Sequence, residues 1–342
     1  MKKNTKLIIL ISIVVLFLTV LICSCIGAAN ISIGDSFKII INKILGLEKN
    51  LVDMKSSTIT IIWKVRFPRI LVSLIVGGAL SIAGVTYQGL LKNPMADPYV
   101  IGVSSGAAFG AAIGIASHIT FKFFGLSIIT ILAFSCAVGV MFLVYSISRI
   151  GKKVPITTLL LSGIAVGNFL TAFTSLIMIF AGDDLSKIYF WTMGSFSGKG
   201  WSQLVTILPY VLIGFAILFY YSKDLNLILL GEETASNLGV NVEKVKLILL
   251  VTSTIVTAFV VSISGIIGFV GLIIPHITRM IIGPDHKKLF PLSFIFGAIL
   301  MVICDTLARS VFSQEIPVGL VTAILGGPFF VYLLRSKKRE LF

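Results

Sequence analysis

Charge is what this 342-residue chain has least of: Asp, Glu, Lys and Arg make up 12% of it, against 57% hydrophobic residues. A soluble domain carries about 25% charged residues, so the shortage excludes an ordinary water-soluble globule. Histidine is scarce too. His118, His276 and His286 are too dispersed to form a metal site by spacing. The four cysteines, Cys23, Cys25, Cys136 and Cys304, fall inside apolar runs without zinc-ligand spacing, as buried free thiols would. Cys23 and Cys25 lie near one helix end, which leaves redox chemistry open for that pair. No G-x-x-x-x-G-K-[ST] occurs, because the Gly-Lys pairs at 151–152 and 198–199 lack both the upstream glycine and the following Ser or Thr. The chain therefore hydrolyses no ATP by a P-loop route. No nucleophile–base motif appears either. These gaps argue against an enzyme, a resident metal and a bound cofactor.

What fills the chain instead is long apolar runs, with a mean hydropathy of +1.06. A helix crosses a hydrocarbon core of about 30 Å with about 20 apolar residues. The candidate spans are 7–29, 69–91, 99–118, 124–148, 156–181, 203–221, 245–263, 266–283, 289–312 and 318–335. The expected fold is all-α: one transmembrane domain over 1–342, a polytopic bundle of about ten helices. No charged residue occurs between Leu247 and Thr278, a stretch that would reach about 48 Å as one helix. That is too long for one crossing, and Ser262-Ile263-Ser264-Gly265 offers a turn, so two spans are expected over 245–283. Pro275 then bends or ends the second. The start, Met1-Lys2-Lys3 before an apolar run to Ala29, imitates a signal peptide but is longer than a cleaved h-region, so an uncleaved first helix is expected.

A net charge of +14 could suggest nucleic acid, but the basic residues sit in short clusters between apolar runs, with no continuous basic face. Topology and anionic membrane lipid explain them better. Ten crossings put both termini on one side. That side receives Lys2, Lys3 and Lys6, then Arg149, Lys152 and Lys153, then Lys223, Lys244 and Lys246, then Arg279, Lys287 and Lys288, and finally Arg335, Lys337, Lys338 and Arg339. By the positive-inside rule it is cytoplasmic. Trp63, Trp191 and Trp201 then fall at the outer interface. The loop 30–66 lies outside, and its stretch Phe37–Leu47 suits an amphipathic piece on the outer leaflet. A loop at 222–243 lies inside. Two halves of five helices enter the membrane in opposite directions, which allows an inverted repeat.

Several segments carry more specific signals. Gly102, Gly106, Gly110 and Gly114 recur every four residues on one helical face, which permits close helix packing or a helix that slides or lines a pathway. Before them, Gln88 to Pro98 contains Asn93-Pro94-Met95-Ala96-Asp97-Pro98, where two prolines forbid regular helix. This is either a tight cytoplasmic loop or irregular backbone packed in protein at membrane depth. Arg66-Phe67-Pro68-Arg69 places two cations at a helix start, against the helix dipole and on the side poor in basic residues. Headgroup anchoring or an acidic protein partner would account for them. Asp305 and Arg309 stand i,i+4 in the ninth span, as an intrahelical pair or, alternatively, as a proton-coupling carboxylate. Leu230 to Val240 reads as a short amphipathic helix between Gly231 and Gly239, with Glu232 and Glu233 in its first turn.

In order along the chain, these stretches resemble the FecCD family of permeases, which serves ferric siderophore, haem and cobalamin importers. The matching segments are Arg66–Arg69, Gln88–Pro98, Gly102–Gly106, Leu230–Gly239, Gly268–His276, and Asp305 to Arg309 followed by Ile316–Pro328. The likeness runs from about residue 60 to the C-terminus. Met95 departs from it mildly, since leucine is common there.

The resemblance implies a homodimer in a bacterial inner membrane, two cytoplasmic ATPase subunits and an extracytoplasmic substrate-binding protein. It implies that Arg66, Arg69 and Arg309 receive glutamates of the binding protein, and that Asn93, Pro94 and Met95 lie near a cytoplasmic gate. It further implies that Gly231, Glu232, Glu233, Ala235, Leu238 and Gly239 belong to the segment seated on the ATPase. A proton-coupled secondary transporter using Asp305 is the rival reading.

Overall fold

The computed structural model describes residues 5–338 apart from 28, 30, 124, 125, 152, 153 and 313. Lys2, Lys3, Lys152, Lys153 and Arg339, which enter the orientation argument, lie outside the described residues. The chain begins with α1 (Thr5–Cys25), α2 (Ile33–Ile44), a 3₁₀ turn (Glu48–Leu51) and α3 (Ser56–Thr60). A π-helical turn (Ile61–Arg66) then leads into α4 (Phe67–Leu90), α5 (Val103–Ala116) and a two-residue hairpin of β1 (Lys122–Phe123) and β2 (Leu126–Ser127). Next come α6 (Ile128–Ser148), α7 (Ile156–Phe180), α8 (Leu185–Thr192) and α9 (Trp201–Tyr220). The chain continues through α10 (Ser222–Leu229), α11 (Glu232–Asn237), α12 (Val242–Ser264), α13 (Val270–Ile282), α14 (His286–Ser310) and α15 (Val318–Lys338).

Each expected span has one helix: α1, α4, α5, α6, α7, α9, α12, α13, α14 and α15. Two fall short of the lengths expected. α5 has 14 residues and α13 has 13, each about 20 Å of helix. Both are preceded by irregular chain, at 91–102 and 265–269, that takes up part of the crossing. Residues 245–283 thus hold one full span, the 23-residue α12, and one shortened helix. α12 stops where expected, with Gly265 at φ 72° after Ser264. Pro275 lies inside α13 without ending it.

The loop at 30–66 is mostly helical. Ser32 caps α2 by accepting from the Asp35 amide, while Ile39 and Ile40 turn inward and Ile33, Phe37 and Ile44 remain exposed. The segment from Ser56 through the π-helical turn joins α4 into one 35-residue helical run. At the start of α8, Lys187 donates to Asp184 at 2.6 Å, and that hydrogen bond holds the Asp184 carboxyl below its usual range.

The core centres on α4, whose residues are buried almost throughout, and on α12. α4 packs on α14 and α13, while α12 packs on α6 and α5. Counting helices from the two starts, each half sends its second helix against the third and fourth of the other. The third helix of each half is the shortened one. Such crossed pairing fits two inverted five-helix halves.

Candidate functional sites at the two ends of the bundle

The π-helical turn and the first turn of α4 gather the arginines that the sequence singled out. All three guanidinium groups are turned inward. Arg66 donates to the carbonyls of Ser24, Cys25 and Ala29, at 3.2, 2.8 and 2.6 Å. Arg309, at the end of α14, donates to the carbonyls of Cys23 and Ile26. Together they satisfy the carbonyls left open where α1 ends, the helix terminus that attracts cations. Arg69 grips Asp305 from both Nε and Nη2, at 2.7 to 3.1 Å, and its Nη2 also donates to Glu315 at 2.6 Å. Asp305 is fully buried, with Arg309 Nε 4.0 Å away. Its pairing is therefore mainly between helices, with Arg69 across α4 and α14, rather than the intrahelical contact expected with Arg309. Trp201 donates to the Trp63 carbonyl at 2.8 Å, and its ring packs with Trp63 and Phe67 beside the cluster.

At the opposite end, α4 runs out into 91–102. The side chain of Asn93 accepts from the Met95 amide at 2.9 Å, which fixes the turn around Pro94. The chain then turns back into the bundle. Pro98 packs against Gly271 beside Leu80, in the interior of α4, and the Tyr99 hydroxyl donates to the Ile267 carbonyl at 3.0 Å. Irregular backbone survives at that depth because protein surrounds it and satisfies its polar groups. The two irregular segments preceding α5 and α13 therefore touch. Gln88 ties α13 to α4, donating to the Leu272 carbonyl and accepting from Arg279.

Beyond α4 stand α10 and α11. Gly231 begins α11, and Gly239 at φ 88° ends it, with the Val240 amide returning to the Ala235 carbonyl in a Schellman turn. Ala235 is buried, and Glu232 pairs with Lys246 of α12. Leu230 and Leu238 are 71% and 61% exposed although they lie outside the spanning helices. α10 is itself anchored: Asn226 donates to Asp285 at 2.9 Å and accepts from the His286 amide at 3.0 Å.

The glycine stripe faces α6. Gly110 lies on the backbone of Leu132 and Ala133 and Gly114 on that of Ile129, each too close for a side chain, while Gly106 faces the Val140 side chain and the Cys136 carbonyl. Gly102, at φ 81°, starts α5 against Gly163 of α7. The sequence reading missed Glu315, Tyr99, Asn226 and the Gln88–Arg279 pair. Only Glu315 gave a usable signal, as an acid beside the arginine-bearing end of a span. No cluster of His, Cys, Asp and Glu suited to a metal occurs among the described residues.

Ten apolar helices with irregular backbone packed inside the bundle, and no nucleotide-binding motif, define a polytopic membrane permease. The chain belongs to the FecCD transport family, whose model matches residues 13–336. It is 42% identical to the cobalamin import system permease of Halobacterium salinarum, over 81% of this chain and 74% of that one. It is 37% identical to a ferric citrate import permease of Bacillus subtilis, over 91% and 89%. Among solved structures, an ABC transporter assigned to the metal-chelate type, in an inward-facing conformation, matches with a TM-score of 0.81 at 33% identity, over 96% of this chain and 99% of that one. The chain is accordingly a permease subunit of an ATP-binding-cassette importer, a multi-pass membrane protein that works with ATPase and substrate-binding partners.

Proposed function

We propose that this permease carries an iron(III)-siderophore, or a related metal chelate such as haem or cobalamin, across the bacterial inner membrane. The observation that supports this reading most is the similarity to permeases named for cobalamin and ferric citrate, over 81% and 91% of this chain. Two copies would form the conduit, with two ATPases on the cytoplasmic side and both chain termini there. The loop 222–243 serves as the coupling segment: the exposed Leu230 and Leu238 and the acidic Glu233 meet the ATPase, while Ala235 and the Glu232–Lys246 pair hold α11 to the bundle. Asn93, Pro94 and Met95 form the cytoplasmic gate, and the chain that follows them is braced against α13, so a shift of α4 or α13 moves the gate.

The arginine end receives the binding protein on its outer side, with acidic side chains addressed to Arg66, Arg69 and Arg309. Their burial changes how this must be tested. Glutamate at Arg69 would face Asp305 and Glu315 with a third carboxylate, and glutamate at Arg66 would strand three carbonyls, so either variant would upset packing before it reported on docking. Neutralising the binding protein's own exposed glutamates avoids the problem. The rival, proton coupling through Asp305, loses its footing because that carboxylate is held by two hydrogen-bonding nitrogens of Arg69.

Reconstitution of the permease with its ATPases in liposomes tests the proposal. Uptake of a labelled ferric siderophore, haem or cobalamin should require ATP and the loaded binding protein. Uptake driven by a proton gradient without ATP would refute it.

A further inference from the structure

The arginine end holds three cations and two carboxylates, and every one of them has a partner within the chain. If an acidic partner docks there, something must give way. Arg66 and Arg309 are held by the backbone carbonyls that end α1. Releasing them would leave those carbonyls open at a helix terminus, which is costly. Asp305 is wholly buried on α14, and removing it from Arg69 would mean moving the helix. Glu315 differs from all of these. It lies on the short connection 311–317 between α14 and α15, its side chain is 32% exposed, and its single contact to Arg69 is one oxygen on Nη2 at 2.6 Å. Its neighbour Ile316 remains tied to the Ala308 carbonyl at 3.1 Å, so the side chain can swing out without unravelling the connection.

We propose that Glu315 is a built-in placeholder: it occupies Arg69 in the free permease and yields that nitrogen to an acidic side chain of the binding protein. The inference rests on the docking reading given above. Exchange of one carboxylate for another keeps Arg69 satisfied throughout, so the buried cation is never left unpaired. The cluster carries one more positive charge than negative, three arginines against Asp305 and Glu315. Swinging Glu315 away enlarges that excess toward the solvent side. The device keeps the empty permease closed to stray anions and makes docking a competition rather than a simple addition.

The experiment measures the affinity of the solubilised permease–ATPase complex for the loaded binding protein of the same system, across a range of salt concentrations. Wild-type affinity should fall as salt rises, since the contact is ionic. Glu315→Gln and Glu315→Ala should each bind about three- to fivefold tighter, the effect of removing one partly exposed competing ion pair. Salt-sensitive binding that neither variant strengthens would overturn the placeholder and leave docking at the arginines standing. Salt-insensitive wild-type binding would remove the docking reading and the placeholder with it. Failure of both variants to assemble would make Glu315 a folding brace, and would overturn the proposal as well.

Discussion

Arg69 and Asp305 decide the chemistry of the arginine end. Two ionised groups are expensive to bury unless each satisfies the other, and here the carboxylate accepts from two nitrogens of one guanidinium. Removing the charge from Asp305 would leave Arg69 with Glu315 alone. Asp305→Asn should therefore cost about 3–5 kcal/mol, the usual range for breaking a buried pair. A lowered melting temperature in detergent checks this, and the protein that does assemble should keep ATP-driven transport. Loss of transport with unchanged melting would put Asp305 on the transport path instead. Tyr99 offers a milder case. Tyr99→Phe gives up the bond to the Ile267 carbonyl and the longer one from the Ile267 amide, and should cost about 1–2 kcal/mol, read in the same assay. At this scale the sequence revealed which charges were anomalous, because cations at a helix start and an acid in an apolar run break general trends. It did not reveal their partners: Arg69 and Asp305 are 236 positions apart, and nothing local signals that meeting.

Among the elements, the shortened helices α5 and α13 matter most. Both were legible as apolar runs, yet the sequence overstated their lengths, because hydropathy does not distinguish helix from irregular chain that is equally apolar and equally buried. The prolines at 94 and 98 signalled the first break, and Gly265 the second. Close approach of α13 to α4 depends on Gly84, whose Cα would direct any side chain onto the Gly271 backbone. Gly84→Val should destabilise the fold by at least about 1–3 kcal/mol through overpacking, seen as reduced yield and earlier thermal unfolding. The proposed coupling segment, 222–243, allows a cleaner separation of effects. Glu233 is exposed whereas Glu232 pairs with Lys246. Glu233→Lys should weaken co-purification of the ATPase while leaving the permease as stable as before. Glu232→Lys should do so and also loosen α11, increasing its cleavage by protease. Unchanged ATPase recovery in both variants would make 222–243 an ordinary connection.

For the whole molecule, composition alone established a membrane bundle, and the ten expected spans each found a helix. The crossed packing of the two halves was not legible, since it is a matter of which helices meet rather than of what each contains. Its result is a continuous protein path from one end to the other. α4 carries Arg69 at its start and Gln88 at its close, and between them it packs on α14 and α13. Events at the arginine end and at the proposed coupling end thus bear on the same helix. A permease driven by separate ATPases should keep hold of them, and native mass spectrometry of the complex drawn gently from its own membranes reads this out. Two permease copies should appear with two P-loop ATPases, and ligand uptake should stop when ATP is withheld. A permease free of any ATPase that still transports on a proton gradient would contradict both.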